Sequence, residues 1–205
     1  MTQAAVLIVA FLCGSIPFSV WLGRLFLGKD VRGVGDGNPG AANVFKAGAG
    51  GLGVVVLLLD VSKAAAPVGL AYNNFGIRGL PMVMIAVAPV LGHVFSPFLH
   101  FKGGKGLTTA LGVWIGLTAW KASLAGVLAT LAGIAVTANP GWAVMLGLAG
   151  VLGTLLVWLP DPLFLAVWVA LVVILAWTHR SDLRRRPRLR GWLRRAAARP
   201  GRRDP

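Results

Sequence analysis

The chain has 205 residues, of which 57% are hydrophobic and only 13% are charged, and its formal net charge is +14. About a quarter of the residues of a soluble globular domain are charged, and a disordered chain has low hydrophobicity, so composition excludes both classes. It predicts an all-α protein that crosses a membrane several times. Eleven of the 14 Arg residues lie at 180–203, so the positive excess is mainly a C-terminal tail and does not indicate nucleic-acid binding.

Seven apolar segments are candidates for membrane helices, which need about 20 residues, with about 17 as a lower limit. Turn signals separate most of them, and Lys121 divides a run at 107–138 that is too long for one span. The predicted spans are 4–23, 52–72, 79–98, 107–120, 122–138, 142–158 and 163–178. They form one bundle over residues 1–178, followed by a basic tail at 179–205. Five or six spans remain alternatives.

Lys and Arg are concentrated in alternate connections between these spans. With the N-terminus outside, the inner segments hold 17 Lys and Arg residues and the outer segments hold 2. The positive-inside rule therefore predicts an external N-terminus and a cytoplasmic C-terminus. The Arg-rich tail, just after the last span, is expected to meet anionic lipid headgroups.

The first inner connection, at 28–43, is rich in glycine and polar residues. Glycines at 33, 35, 37 and 40 permit positive φ, so that backbone N–H groups can converge on an anion. Arginine adds positive charge, and asparagine amides bind neutral oxygens. These features favour a polar binding site over a flexible loop. Its candidate residues are Arg32, Gly35, Asp36, Gly37, Asn38 and Asn43.

The second inner connection places a Gly-Gly pair between two lysines, immediately before a predicted helix that begins near Thr108. Free N–H groups and the helix dipole attract phosphate, and lysine adds point charges. The spacing does not match a Walker A loop, because Leu99 occupies the position of its first glycine. The candidate residues are Lys102, Gly103, Gly104, Lys105 and Gly106.

Other polar residues support this site or exclude other chemistries. His179 and Arg180 follow the last span at the same predicted boundary, and Asp60 and Lys63 share a face of the second span, which predicts a structural ion pair. Histidine and aspartate are too scattered for a zinc site, and Cys13 is the only cysteine. No G-x-S-x-G or His-x4-Asp motif is present, which leaves a serine mechanism unsupported.

Several stretches resemble the bacterial membrane acyl-phosphate:glycerol-3-phosphate acyltransferases. They cover 12–106 nearly continuously and the end of the last span. The stretches are Gly14-Ser-Ile-Pro-Phe18, Gly35-x-Gly-Asn-x-Gly-Ala-x-Asn43, Leu59-Asp60-x-x-Lys63, Gly92-His93, Phe101-Lys-Gly-Gly-Lys-Gly106 and His179-Arg180.

The resemblance implies a compact seven-helix enzyme of the bacterial inner membrane with its site facing the cytoplasm. It implies transfer of a fatty acyl group from acyl phosphate to the 1-hydroxyl of glycerol 3-phosphate, giving lysophosphatidate and phosphate in the first step of phospholipid synthesis. An enzyme that produces acyl phosphate would act upstream, and no cofactor or metal is expected. Positioning and neutralising two anions can supply most of this catalysis, and the leaving phosphate is a candidate proton acceptor.

The resemblance also implies roles for individual residues of this chain. The catalytic candidates are Asp36, Asn38, Lys105 and His179. The residues expected to bind substrate or phosphate are Arg32, Gly35, Gly37, Asn43, His93, Lys102, Gly103, Gly104, Gly106 and Arg180. Asp60 and Lys63 are expected to support the site structurally.

Three departures from the family pattern stand out. Asp36 replaces a serine, Asp182 replaces an asparagine, and the loop at 138–142 lacks the basic and serine residues of the family. A carboxylate about 4 Å from a phosphate charge repels it by about 4 kcal/mol at an effective dielectric near 20. Asp36 is therefore expected to be neutralised by Arg32 or another cation, to face the acceptor hydroxyl, or to mark a different acceptor. A paralogous acyltransferase with another hydroxyl acceptor, and a non-catalytic lipid- or phosphometabolite-binding protein or transporter, remain alternatives.

Overall fold

The computed structural model describes residues 2–197, and regular structure in this part of the chain is helical apart from one isolated bridge. A π-helical turn, Leu70–Asn74, extends α4, and short 3₁₀ turns cover Val31–Gly33 and Pro97–Leu99. The α-helices are α1 Gln3–Ser15, α2 Phe18–Leu27, α3 Ala41–Lys46, α4 Gly50–Gly69, α5 Gly79–Val94, α6 Leu107–Thr118, α7 Lys121–Val136, α8 Pro140–Trp158, α9 Pro162–Thr178, α10 Arg180–Leu183 and α11 Gly191–Ala197.

All seven predicted apolar segments are helical, which confirms the all-α membrane class. Four segments are long and apolar enough to cross a membrane, and α6, α7 and α9 are shorter apolar helices. The 12 residues of α6 rise about 18 Å, less than the roughly 30 Å of a bilayer core. Seven spans and an external N-terminus therefore remain predictions. The four long segments are Gln3–Leu27, Gly50–Asn74, Gly79–Leu99 and Pro140–Trp158.

The first apolar segment differs from the single helix predicted at 4–23. It divides into α1 and α2 at Ile16 and Pro17, because proline has no N–H to donate and disfavours helical backbone in the preceding residue. Side chains from neighbouring segments bind the carbonyl groups at the break. Ser96 Oγ donates to Ser15 O at 2.6 Å and Lys63 Nζ donates to Ile16 O at 3.0 Å.

Three pairs of helices pack closely: α1 with α5, α4 with α6, and α7 with α8. Gly112 and Gly116 lie on the face of α6 that meets α4, as their spacing predicts. A β-carbon on Gly112 would overlap Val61 O, and one on Gly116 would lie 2.9 Å from Ala65 O. These glycines let two helix backbones approach closely, which favours packing in a membrane.

The polar connections 28–40 and 95–106 and the segment after α9 meet at one end of the bundle. A docked segment that was not predicted lies at this end of the bundle. The segment 184–190, here called the arginine strap, pairs antiparallel with the α7–α8 connection through an isolated bridge between Thr137 and Leu189. Residues 198–205, the remainder of the predicted tail, lie outside the described part of the chain.

Candidate active site

Lys105 lies at the centre of the polar cluster, just before the N-terminus of α6. Its Nζ is 3.0 Å from Asp36 Oδ2 and 3.5 Å from Asp182 Oδ2. Its backbone oxygen accepts a 2.9 Å hydrogen bond from Thr178 Oγ1 at the end of α9. Lys105 therefore joins the two glycine-rich connections to the segment that follows α9. Asp182 Oδ2 is buried and has no hydrogen-bond partner in the described residues, because 3.5 Å is an ion-pair distance only.

Asp36 and Asn43 organise the first glycine-rich connection. Asn43 Nδ2 donates to Asp36 Oδ1 at 3.1 Å and to Asn38 O at 2.9 Å, while the Asn38 N–H donates to Asp36 Oδ1 at 3.3 Å. Gly35 and Gly37 have φ of 63° and 74°, values that strain other residues. Asn43 Oδ1 is buried without a hydrogen-bond partner among residues 2–197, so the loop retains an acceptor for a ligand hydroxyl.

Lys105, and not Arg32, neutralises Asp36. Burial raises the pKa of Asp36, but the hydrogen bond and charge of Lys105, with hydrogen bonds from Asn38 and Asn43, together outweigh burial and hold this pKa below its usual value. Arg32 instead binds Asp30, with Nη2 2.6 Å and Nε 3.0 Å from its carboxylate oxygens. These Arg32 hydrogen bonds hold the pKa of Asp30 well below its usual range.

The Gly-Gly pair serves close packing, and its amides are not free for phosphate. Gly103 N–H donates to Val94 O at 3.0 Å and Gly104 N–H donates to His93 O at 3.1 Å. Their predicted role as amide donors to phosphate is therefore not supported. A β-carbon on Gly103 would overlap His93 O, and one on Gly104 would overlap His93 Nε2. The free backbone donors of this connection are instead those at the start of α6, beside Lys105.

His179 is 4% exposed and its tautomer is set by the backbone. Its Nδ1 lies 2.8 Å from Leu175 O, which only accepts, so Nδ1 carries the hydrogen and Nε2 keeps a lone pair. Burial lowers the pKa of His179, and Lys105 lowers it further, which outweighs the opposing effects of the Leu175 hydrogen bond, Asp182 and Asp36. His179 is therefore neutral at pH 7 and can accept a proton at Nε2.

Two predicted substrate-binding cations form no hydrogen bond or ion pair with the Lys105 cluster in residues 2–197. Arg180 Nη1 donates to Trp177 O at 2.9 Å, and its guanidinium carbon lies 4.8 Å from the centroid of the Trp177 ring. Lys102 is exposed and forms no ion pair with the described residues. Their role in substrate binding stays a prediction.

Asp60, Lys63 and His93 form a second cluster, buried between α4 and α5. Lys63 Nζ is 2.6 Å from Asp60 Oδ1 and 2.9 Å from His93 Nδ1. The ion pair predicted from the i, i+3 spacing is therefore present, and it contacts the histidine that underlies the Gly-Gly pair.

Sequence reasoning missed Lys46. A β-carbon on Gly35 would lie 2.9 Å from Lys46 Nζ, so this cation covers the first glycine-rich connection. The available signal was its position three residues after Asn43 on α3, which places both side chains on one face of the helix.

An apolar cavity of about 290 Å³ begins at Leu107, next to the Lys105 cluster, and extends between α6, α7 and α8. Two of its hydroxyl side chains donate to backbone carbonyls four residues earlier in the chain. Ser123 Oγ donates to Ala119 O at 3.2 Å and Thr130 Oγ1 donates to Gly126 O at 2.8 Å. Hydrocarbon can therefore fill the cavity without stranding these hydroxyl groups.

The fold and this site define a helical membrane protein that combines lysine and helix-terminus donors with an adjoining apolar cavity. The family model described as glycerol-3-phosphate acyltransferase matches residues 4–188, and the chain belongs to this family. The glycerol-3-phosphate acyltransferase of Anaeromyxobacter dehalogenans strain 2CP-1 is 49% identical over 138 residues. That alignment covers 64% of this chain and 65% of the relative, so it spans about two thirds of each.

The glycerol-3-phosphate acyltransferase of Myxococcus xanthus strain DK1622 is 39% identical over 185 residues, which cover 90% of this chain and 95% of the relative. The crystal structure of PlsY (YgiH), an integral membrane glycerol 3-phosphate acyltransferase, in its glycerol 3-phosphate form matches with a TM-score of 0.82 and 31% identity. The match covers 95% of this chain and 98% of that one. The lysophosphatidic acid form of PlsY matches with a TM-score of 0.81.

Proposed function

We propose that this protein transfers an acyl group from acyl phosphate to the 1-hydroxyl of glycerol 3-phosphate, giving lysophosphatidate and phosphate. The observation that carries the proposal is the convergence of both glycine-rich connections on Lys105, directly beside an apolar cavity. The bias of Lys and Arg toward one side supports a site on the cytoplasmic face, and the family supports a bacterial inner membrane. An enzyme that forms acyl phosphate would supply the donor.

The donor fits the junction between Lys105 and the cavity. Its phosphate would lie at Lys105 and the first N–H groups of α6, where charge and helix dipole both favour an anion. Its acyl chain would extend from Leu107 into the cavity, where each buried methylene contributes about 0.8 kcal/mol.

The acceptor fits the first glycine-rich connection. A glycerol hydroxyl can donate to Asn43 Oδ1, the buried acceptor without a partner, and Lys46 can bind the phosphate of the same molecule. Asp36 and Asn38 complete the loop that would hold this acceptor against the donor.

The chemistry needs little from the protein because acyl phosphate is already activated. The 1-hydroxyl oxygen attacks the acyl carbonyl carbon, the bond from that carbon to the phosphate oxygen breaks, and phosphate leaves with the bonding electrons. The hydroxyl proton passes to His179 Nε2 or directly to the departing phosphate. Lys105 neutralises the charge that develops on the leaving group.

The decisive experiment supplies palmitoyl phosphate and glycerol 3-phosphate to the purified protein in lipid and follows phosphate and lysophosphatidate. We expect lysophosphatidate from acyl phosphate, none from palmitoyl-CoA, and loss of activity in Lys105→Ala. Lys121→Ala, a lysine-to-alanine change at the opposite end of α6 and α7, is the matched control and should retain activity. Phosphate release without lysophosphatidate would indicate another acceptor or hydrolysis, and no turnover by folded protein would support a binding protein or transporter.

Asp36→Ser tests the alternative acceptor. Asp36 is 47% exposed in its side chain and already paired with Lys105, so its replacement should change the KM for glycerol 3-phosphate by less than about fivefold. If the natural acceptor is not a phosphate ester, removing an opposed carboxylate should improve use of glycerol 3-phosphate by up to about a thousandfold. Loss of a demonstrated activity on glycerol 3-phosphate would remove the main support for an altered acceptor.

A further inference from the structure

Lys63 determines which nitrogen of His93 carries a hydrogen. Its Nζ lies 2.6 Å from Asp60 Oδ1, 3.0 Å from Ile16 O and 2.9 Å from His93 Nδ1. A lysine ammonium has three hydrogens and no acceptor, so these three contacts use all of its donors. His93 Nδ1 must therefore accept, and the hydrogen of the neutral imidazole lies on Nε2.

The Nε2 atom of His93 faces the second glycine-rich connection. A β-carbon on Gly104 would overlap this atom and would also lie 3.0 Å from Pro39 O of the first connection. Nε2 has no hydrogen-bond partner within residues 2–197, although His93 is only 9% exposed. An N–H donor is thus held where the two connections meet.

We propose that His93 Nε2–H binds a phosphate oxygen of a substrate, and that Asp60 and Lys63 are positioning residues that hold His93 in this tautomer. This inference rests on the proposed function and extends it, since it assigns the buried ion pair a role in ligand binding beyond structural support. The ion pair also binds the carbonyl group left free by the break at Pro17, so the break and the donor depend on one lysine.

The test is nuclear magnetic resonance of protein labelled with ¹⁵N-histidine in lipid nanodiscs, with His93→Ala used to assign the signals. We expect His93 to show a bare Nδ1 and a protonated Nε2, and Nε2 to shift on titration with inorganic phosphate. Lys63→Met should give a mixture of tautomers. A protonated Nδ1 on His93 in the wild-type protein, or no response of Nε2 to phosphate, would overturn the proposal.

Kinetics separate positioning from general damage to the fold. His93→Ala and Lys63→Met should raise the KM for a phosphate-bearing substrate by about tenfold to a hundredfold with a smaller change in kcat. Ser96→Ala is the matched control, because it removes an equally buried hydrogen bond at the same helix break and leaves His93 untouched. An equal rise in KM in Ser96→Ala would reduce the role of Lys63 to structural support.

These readouts also distinguish failure of this inference from failure of the proposed function. The tautomer and the phosphate response do not require acyl transfer. Protein without acyltransferase activity that shows both signals would retain the phosphate site, whereas an active acyltransferase with a protonated Nδ1 would refute the His93 assignment alone.

A separate observation concerns the arginine strap, whose backbone groups form hydrogen bonds with residues in and beside the α7–α8 connection. Ala138 N–H donates to Arg188 O at 2.8 Å, Asn139 Nδ2 donates to Arg186 O at 3.2 Å and Trp142 Nε1 donates to Arg185 O at 3.0 Å. Arg190 N–H donates to Val136 O at 2.9 Å. The arginine side chains are therefore left at the surface.

The exposed side of the strap has the composition of a membrane-interface segment. Arg184, Arg185, Arg186 and Arg188 are exposed and form no ion pair with the described residues, while Leu189 and Trp192 are each 53% exposed. Arginine beside exposed tryptophan and leucine matches an anionic headgroup layer over hydrocarbon. We propose that the strap binds anionic lipid headgroups and is held to the bundle as a rigid surface.

The test uses nanodiscs that contain brominated phosphatidylglycerol or brominated phosphatidylcholine. The fluorescence of Trp192, obtained as the difference from Trp192→Phe, should be quenched preferentially by phosphatidylglycerol, and less so at high salt. Replacing the four exposed arginines by glutamine should remove the preference for phosphatidylglycerol. Each charge removed should lower partition into the anionic lipid by about fivefold. Equal quenching by both lipids, or displacement by free phosphate at constant ionic strength, would overturn the proposal.

Discussion

Two clusters of the same composition, aspartate with lysine and histidine, behave differently in this protein. In the buried cluster of Asp60, Lys63 and His93, lysine and aspartate side chains are 2% and 3% exposed and lysine donates to the histidine. In the open cluster, Lys105 is 29% exposed and contacts only carboxylates, while His179 donates to a backbone carbonyl. The two histidines therefore have opposite tautomers.

The difference shows that partners and burial determine what an Asp–Lys–His cluster can do. The buried lysine has no spare donor and no solvent to exchange with, so it can only hold its histidine in place. The open lysine is shared between Asp36, whose side chain is 47% exposed, and Asp182, whose Oδ2 atom is buried. We therefore propose the open cluster, where a substrate phosphate can compete for the partly exposed Lys105, as the site of chemistry.

The largest expected effect is on the base of the open cluster. His179→Ala should lower kcat by about a hundredfold to ten-thousandfold if His179 Nε2 accepts the hydroxyl proton. His100→Asn is the matched control, because His100 is exposed and has φ of 51°, which asparagine tolerates. A loss in kcat below tenfold would indicate that the leaving phosphate, and not His179, accepts the hydroxyl proton.

The next effect tests the buried cluster through stability. Lys63→Met leaves the Asp60 carboxylate buried without its counter-charge and should cost about 3–5 kcal/mol in the free energy of unfolding. Adding Asp60→Asn should recover most of that loss, because the buried charge is then removed. Denaturant unfolding in detergent measures both variants. A double variant as unstable as the single one would show that the pair acts through packing.

The smallest expected effect is on the pH dependence of the open cluster, which the buried cluster should not influence. Burial lowers the pKa of His179 and Asp182 partly opposes this, so Asp182→Asn should lower the pKa further. The neutral imidazole then persists to lower pH, and the acidic limb of the kcat/KM profile should move down by the same amount. Substrate ionisation is identical in both proteins and cancels in the difference. An unchanged limb would indicate that His179 does not titrate in catalysis.

Sequence patterns predicted the apolar segments because helices in lipid must be apolar over their length, a property that each segment carries locally. They also predicted the Asp60–Lys63 pair, since it depends on spacing along one helix. The break at Pro17 was not predicted, because a proline can also lie within a continuous membrane helix.

Contacts between distant segments could not be predicted in the same way. The neutralising partner of Asp36 is Lys105, 69 residues away, whereas the nearby Arg32 binds Asp30. The Gly103 and Gly104 amides were expected to be free, but the end of α5 binds them. The strap was expected only as a basic tail, because its docking joins its backbone to a connection more than 40 residues earlier in the chain.

The sequence by itself determined a helical membrane protein, the apolar segments, the two polar connections and the resemblance to one acyltransferase family, because these depend on composition and local spacing. Only the tertiary structure decided which lysine meets which carboxylate, which amides remain free and which nitrogen of each histidine carries a hydrogen. The reason is physical: charge pairing, burial and tautomer depend on the atoms within about 4 Å of a group, and in this protein those atoms come from helices far apart in the chain.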